Sequence, residues 1–214
     1  MDKASASDGS DTSLTLAGPG TAEVRVSGSR FLGLALPVSE EQEIAERLAQ
    51  RTREDHDATH HCYAAVLGAD RREASSDAGE PRGTAGTPIL RAIHAARLTD
   101  SLVIVTRYFG GTKLGKGNLA RAYRACAKEA VEAAPKKIVR HWRRFRIEVP
   151  FSETGKLYAL ARRNGWEITP EDSAQGGCFE VRVPLSGREG VRESVLDATA
   201  GRASIVEDGI WTSS

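Results

Sequence analysis

The sequence predicts an α+β protein of two domains, and three observations predict it. Strand-like and helix-like segments are interleaved up to Pro135, punctuated by two glycine-rich stretches. The order of elements then changes. Beyond Pro135 the pattern reads strand, helix, strand, strand, helix, strand, which is that of a ferredoxin-like split βαβ domain. A boundary near Lys136 follows, with residues 1–20 as a tail, 21–136 as the first domain and 137–214 as the second.

Each element has its own reason. Met1 to about Gly20 is rich in Ser, Asp, Ala, Thr and Gly, a composition that favours disorder. Ser29 to Val38 reads as a strand. Ser39 then stands as an N-cap, with Gln42 completing a capping box. The helix that follows places Ile44, Leu48 and Thr52 on one face. Thr59 to Leu67 alternates as a strand, with His60, Cys62, Ala64 and Val66 on one side. After an acidic glycine-rich loop, Thr87 caps a helix with Pro88 at its first position, and Ile89, Leu90 and Ile93 pack it. Leu102 to Phe109 is an apolar strand. A second glycine-rich loop leads to a helix from about Asn118 to Ala133, closed by Pro135.

In the second half, Ile138 to Phe151 reads as a long strand with Phe145, Ile147, Val149 and Phe151 facing one way. Ser152 starts a helix that stops near Asn164 and Gly165. Trp166–Thr169 and Cys178–Leu185 are strands joined by a loop containing Gly176 and Gly177. Val191–Ala198 is helical and Ala203–Glu207 is the last strand.

Composition narrows the function. The 214 residues carry 28% charged and 40% hydrophobic side chains, ordinary for a globular protein. A net charge of +1 supplies no global field toward nucleic acid or membrane, so such binding must come from local patches. Cys62, Cys126 and Cys178 are far apart and form no CxxC pair, which indicates neither a disulfide framework nor a zinc ribbon. A reducing cytoplasm suits them. The N-terminus lacks an apolar core of the signal-peptide kind, and no run approaches the ~18 apolar residues of a membrane span.

The chemistry gathers in the two glycine-rich stretches. SSDAGEPRGTAGTPIL (Ser75–Leu90) holds Asp77, Gly79, Glu80, Gly83 and Thr84. RYFGGTKLGKGNLARAY (Arg107–Tyr123) holds Arg107, Gly110, Gly111, Lys113, Lys116 and Arg121. Glycine gives up helix and strand stability, so flexible backbone before a helix asks for another gain. Exposed N–H groups at a helix start, beside lysines, suit anions such as phosphate.

These stretches also carry a resemblance. Together with SRFLGLALPVSEEQE (Ser29–Glu43) and ATHHCYA (Ala58–Ala64), they resemble the Impact/YigZ family over about Val24 to Ala134. Three departures stand out. Ala78 replaces the second Asp of an acidic pair, Lys116 replaces a small residue, and Asn118 replaces a common Gly. The resemblance implies a first domain related to domain IV of elongation factor G and, in bacterial members, a second resembling its domain V. It also implies a role linked to translation. Eukaryotic relatives restrain activation of a stress kinase that phosphorylates an initiation factor, by competing for its activator. Bacteria lack that kinase system. The expected partners are therefore RNA or the ribosome, with a translation-control protein as the other partner class, and no membrane.

Other readings of the same residues remain open. Gly110–Gly117 has the spacing G-x-x-x-x-G-K of a nucleotide-binding loop, but Gly117 stands where a hydroxyl would hold magnesium. A hydrolase would draw on His60, Asp77 and Glu80, with Ala78 removing a carboxylate. His56 and His60 would share a helical face as zinc ligands, but the segment turns strand-like at Thr59. Cys62 reads as a nucleophile or, by its alternation with Ala64 and Val66, as a small core residue. The expectation is no catalytic residue, no metal and no cofactor. In KKIVRHWRRFRI, Arg144, Arg146 and Trp142 share one strand face, as in RNA-binding sheets. Glu180 on the neighbouring strand would equally make them cross-strand ion pairs.

Overall fold

The computed structural model describes residues 11–171, 177–187 and 189–213. The described chain is a mixed α and β protein with two sheets and five helices, divided into two compact units. The first unit runs over Ser13–Ile138. The second takes the rest of the chain together with Asp11 and Thr12.

The first unit is built on an antiparallel sheet. Its strands are β2 (Gly20–Val26), β3 (Ser29–Pro37), β4 (His60–Leu67), β5 (Arg72–Ser76) and β6 (Ser101–Tyr108), and their order is β2-β3-β6-β4-β5. Strand β6 lies at the centre, buried from Ser101 to Arg107. Its side chains alternate between the two faces, as the pleat requires. Val103 and Val105 enter a core with α2 (Gly86–Ala95) and α3 (Gly115–Ala133), while Leu102 and Ile104 join Ile44 of α1 (Glu41–Glu54) on the other face. Arg107 continues the valine row, paired in register with Phe31 and His60. Polarity thus enters the core at the strand end where both glycine-rich loops emerge.

The second unit contains β7 (Lys136–Val149) from Val139 onward, α4 (Thr154–Asn164), β8 (Glu167–Glu171), β9 (Gly177–Pro184), α5 (Val191–Ala198) and β10 (Ser204–Ser213). Strand β7 pairs antiparallel with both β10 and β9, and β9 with β8. This is the strand arrangement of the split βαβ pattern. Phe145, Ile147, Val149, Phe179, Val181 and Val183 pack against Leu157, Leu160 and Val195 of the two helices.

Several expectations need correction. Residues up to Gly20 do not all form a tail. β1 spans Thr12–Leu16, Leu16 is fully buried, and Thr99 N donates to Leu14 O at 3.0 Å. Residues 1–10 lie outside the described residues. Glu40, not Ser39, occupies the N-cap of α1, and Thr52 is exposed with its hydroxyl bonded to Leu48 O. Arg72–Ser76 is a strand hidden by polar composition, as an exposed edge allows. Ala85 is the N-cap of α2, so Thr87 and Pro88 lie inside the helix. Helix α3 starts at Gly115, three residues before Asn118. Phe151 falls in a short 3-10 turn and is 78% exposed, so it does not join the core row of β7. β10 reaches Ser213, carried past a bulge between Glu207 and Gly209. Gly176 lies outside the described residues.

Candidate anion site at two glycine-rich loops

The first loop is closed by its own carboxylate. Asp77 Oδ1 accepts from the backbone N–H groups of Ala85 and Gly86, both at 2.9 Å, and Oδ2 from that of Gly83 at 2.7 Å. Ala85 and Gly86 open α2, so Asp77 satisfies N–H groups that a helix start leaves unpaired. Burial would raise the Asp77 carboxyl. The three N–H donors, with Arg82 nearby, outweigh burial and hold it below its ordinary value. Gly83 has φ +76°, a conformation that glycine adopts without strain, and this turns its N–H toward Asp77. Thr84 is buried, its hydroxyl donating to Pro81 O at 2.6 Å.

Glu80 ties this loop to the sheet and to α3. Its Oε1 accepts from Arg107 at 2.7 Å and from the Tyr123 hydroxyl at 2.7 Å. Arg107 is 5% exposed and Glu80 8% exposed. A buried charge pair of this kind needs its hydrogen bonds, because either charge alone would be strongly disfavoured. Arg107 also donates to Ser29 Oγ at 3.3 Å and lies over the rings of Phe31 and Phe109. His60 Nδ1 is 2.8 Å from Ala78 O, and its Nε2 is 3.8 Å from Glu80 Oε2. The His60 ring also packs beneath Gly79.

Cys62 completes the cluster, with Sγ 3.0 Å from Asp77 O and 3.3 Å from the Tyr123 hydroxyl. Burial pushes its thiol up to about 12, and burial also raises the Tyr123 phenol. Neither is an activated nucleophile near neutral pH. Asp77 and Glu80 are already engaged as acceptors. The cluster's evident work is to fix β4, β6, α2 and α3 relative to one another.

The second loop is open. Gly110 passes so close to the β2–β3 turn that a Cβ on it would fall 1.9 Å from Gly28 C. Its N–H donates to Ser29 Oγ at 3.2 Å. Leu114 is the N-cap of α3 and offers no side-chain bond to the first turn, which also has no acidic residue. Lys113 and Lys116 are exposed, and no carboxylate pairs with either among the described residues. Arg121, on the next turn, donates to Asn118 Oδ1 at 2.6 Å. Beside them is a cavity of about 360 Å³ lined by Glu80, Pro81, Arg107, Phe109, Lys113, Leu114, Gly115, Lys116 and Leu119. Gly117 offers no hydroxyl for a magnesium ion, and open space surrounds its Cα.

The sequence-derived residues therefore fall into separate groups. His60, Asp77, Glu80 and Arg107 meet in one network, buried at Glu80 and Arg107 and half-buried at His60 and Asp77. Gly110, Gly111, Lys113, Lys116 and Arg121 line the open loop and the start of α3. Arg144 and Arg146 lie on β7 in the second unit, in ion pairs. Arg144 pairs with Glu180 at 3.7 Å and Asp208 at 3.4 Å, and Arg146 with Glu171 at 3.4 Å. Among the described residues, no group of three metal-binding side chains is placed to hold an ion. Sequence reasoning passed over Tyr123, Ser29 and Phe109. A tyrosine on the apolar side of a helix was the available signal, since a buried hydroxyl needs a partner.

Comparison with known proteins adds a family match, three relatives and one solved structure. Residues 27–131 match the Impact N-terminal domain family. The chain is 40% identical over 178 residues to the Thermus thermophilus "IMPACT family member in pol 5'region", covering 83% of this chain and 97% of that protein. It is 32% identical over 192 residues to IMPACT family member YvyE of Bacillus subtilis, covering 88% and 87%. It is 36% identical over 119 residues to IMPACT family member YigZ of Escherichia coli, covering 54% of this chain and 58% of that one. A solved structure described as that of a hypothetical protein superposes with a TM-score of 0.67 at 25% identity, covering 92% of this chain and 97% of the other.

Proposed function

This chain belongs to the IMPACT family, and on that premise we propose that it is a non-catalytic, translation-linked protein that binds RNA phosphates, free or in the ribosome, at the open start of α3. The observation that carries this reading is the pair Lys113 and Lys116, exposed and without carboxylate partners among the described residues, beside an uncapped helix start. The dipole of α3 favours negative charge there, and its first N–H groups are donors in search of acceptors. Arg121 extends the surface by one turn. Arg107 serves it from within, by holding Glu80, Phe109 and Ser29 in place. Arg144 and Arg146 are secondary, because their neighbours already neutralise them. The cytoplasm is the compartment that suits this role. Among the described residues, no helix is long and apolar enough to cross a membrane.

The test is RNA binding across a salt series, with wild type and the double variant Lys113→Ala, Lys116→Ala. Each lost phosphate contact lowers the salt slope by about one. The expected result is strong weakening that is similar across RNA sequences. A double variant that binds like wild type with the same slope would make the loop a turn alone and point to a protein partner. Nucleotide hydrolysis is disfavoured by Gly117. Micromolar ATP or GTP binding with magnesium, lost in Lys116→Ala, would reverse that judgement.

A further inference from the structure

We infer that the cavity beside α3 is a subsite for one unpaired nucleotide, its base stacked on Phe109 and its phosphate held by Lys113, Lys116 and the α3 N-terminus, so that the protein selects single-stranded over duplex RNA. The inference rests on the phosphate-binding reading above and adds to it the form of the nucleic acid.

Four observations carry it. First, the site is a recess. The cavity of about 360 Å³ falls in the size range of small-ligand pockets. Pro81, Leu114 and Leu119 give it apolar walls, and both lysines line it. Phosphate contact alone needs no recess.

Second, Phe109 is an aromatic ring left 47% exposed at the end of the central strand. It lines the same cavity as the lysines. Its backbone is anchored: Phe109 N donates to Thr59 Oγ1 at 3.1 Å, and the Arg107 guanidinium lies 5.5 Å from its ring centroid. A ring exposed in this way presents a stacking surface.

Third, Arg107 lines the cavity at only 5% exposure, and its Nε is a buried donor with no partner among the described residues. Its other two nitrogens are taken by Glu80 and Ser29. Buried donors are seldom left unmatched; this one is closed to solvent, so a ligand's polar group reaches it only if the recess wall shifts on binding.

Fourth, these features agree in sign and sequence. The chain passes from ring to glycine turn to Lys113, Lys116 and the helix start within eight residues, Phe109–Lys116. Glu80 also lines the cavity, but Arg107 and Tyr123 already engage it, which leaves the lysines as its unpaired charges. In an A-form duplex the bases are stacked and unavailable to such a ring. In a single strand they can be splayed out onto an aromatic side chain.

The experiment compares a twelve-nucleotide RNA without self-complementarity with the same strand annealed to its complement, by fluorescence anisotropy at one fixed salt concentration. Wild type, Phe109→Ala, Phe109→Leu and Phe109→Tyr are measured, and circular dichroism verifies that each is folded. Wild type is expected to favour the single strand by about tenfold, the scale of one stacked base. Phe109→Ala and Phe109→Leu should lose that preference while binding the duplex as before, and Phe109→Tyr should keep it. Equal binding of strand and duplex by wild type overturns the inference, as does an unchanged preference in both Phe109→Ala and Phe109→Leu. In those cases binding that still depends on Lys113 and Lys116 leaves the phosphate reading standing. Binding of neither RNA removes both.

Discussion

Two glycine-rich loops each deliver a helix at the same end of the first unit's sheet, and they treat its N-terminus in opposite ways. The first loop folds back and places Asp77 against the N–H groups of Gly83, Ala85 and Gly86. The second sets Lys113 and Lys116 around an α3 start that has neither a cap nor an acidic residue. A helix start that is satisfied internally contributes to stability. One that is left open and ringed by positive charge is available to an outside anion. The difference separates a closed loop from an open one, although both look alike as glycine-rich sequence.

Breaking the closed side should cost most. Glu80→Ala strips Arg107 of its carboxylate and leaves a buried charge unpaired. A loss of about 3–5 kcal/mol is expected from chemical denaturation. A loss below about 1 kcal/mol would mean that water replaces the pair. Asp77→Ala should come next, at about 2 kcal/mol, from one charged acceptor serving three N–H donors.

The same carboxylate sets a pH dependence. Asp77 is held below its ordinary value of 3.8 in the folded protein, by N–H donors that outweigh burial. Its stabilisation is therefore fully present above the ordinary value and is lost as pH falls through the lower folded value. Asp77→Asn should be less stable than wild type at pH 6. The gap should narrow steadily below about pH 4. Denaturation midpoints for both proteins between pH 6 and pH 2.5 would show it. A gap independent of pH would exclude the ionised carboxylate as its source.

The open side should tolerate change. Gly117 sits in the first turn of α3 with open space around its Cα, so Gly117→Ala should stabilise by about 1 kcal/mol. Lys113→Ala with Lys116→Ala should alter stability by under ~0.5 kcal/mol, because both side chains are exposed.

Much of this contrast was open to sequence reading, and the rest was hidden for a physical reason. β3 was legible by its alternation of buried and half-buried positions, and β6 and the end of β4 as apolar runs buried on both faces. The end of α4 was legible because Gly165 takes a left-handed cap conformation. The cap of α2 was not, because Asp77 lies eight residues before the N-cap and a local capping pattern cannot find it. The start of α3 was placed late because Gly115 and Gly117 read as loop. β1 was lost because Thr12–Leu16 continues a tail-like composition and is recognisable as a strand only through the burial of Leu16. In the site, the lysines were visible as charge. That Arg107 would turn inward to Glu80 was not, since pairing across 27 positions has no local signature.

If α3 begins as an open anion site, one substitution can close it. Gly117→Glu places a carboxylate at the third helical position, where it can reach back to the Leu114 N–H as in a capping box and compensate Lys113 and Lys116. RNA affinity at fixed salt is then compared among wild type, Gly117→Ala and Gly117→Glu. Gly117→Ala should bind like wild type, while Gly117→Glu should be at least as stable as Gly117→Ala and bind about tenfold more weakly, with a shallower salt slope. Unchanged affinity and slope in a folded Gly117→Glu variant would contradict an open anion site at α3.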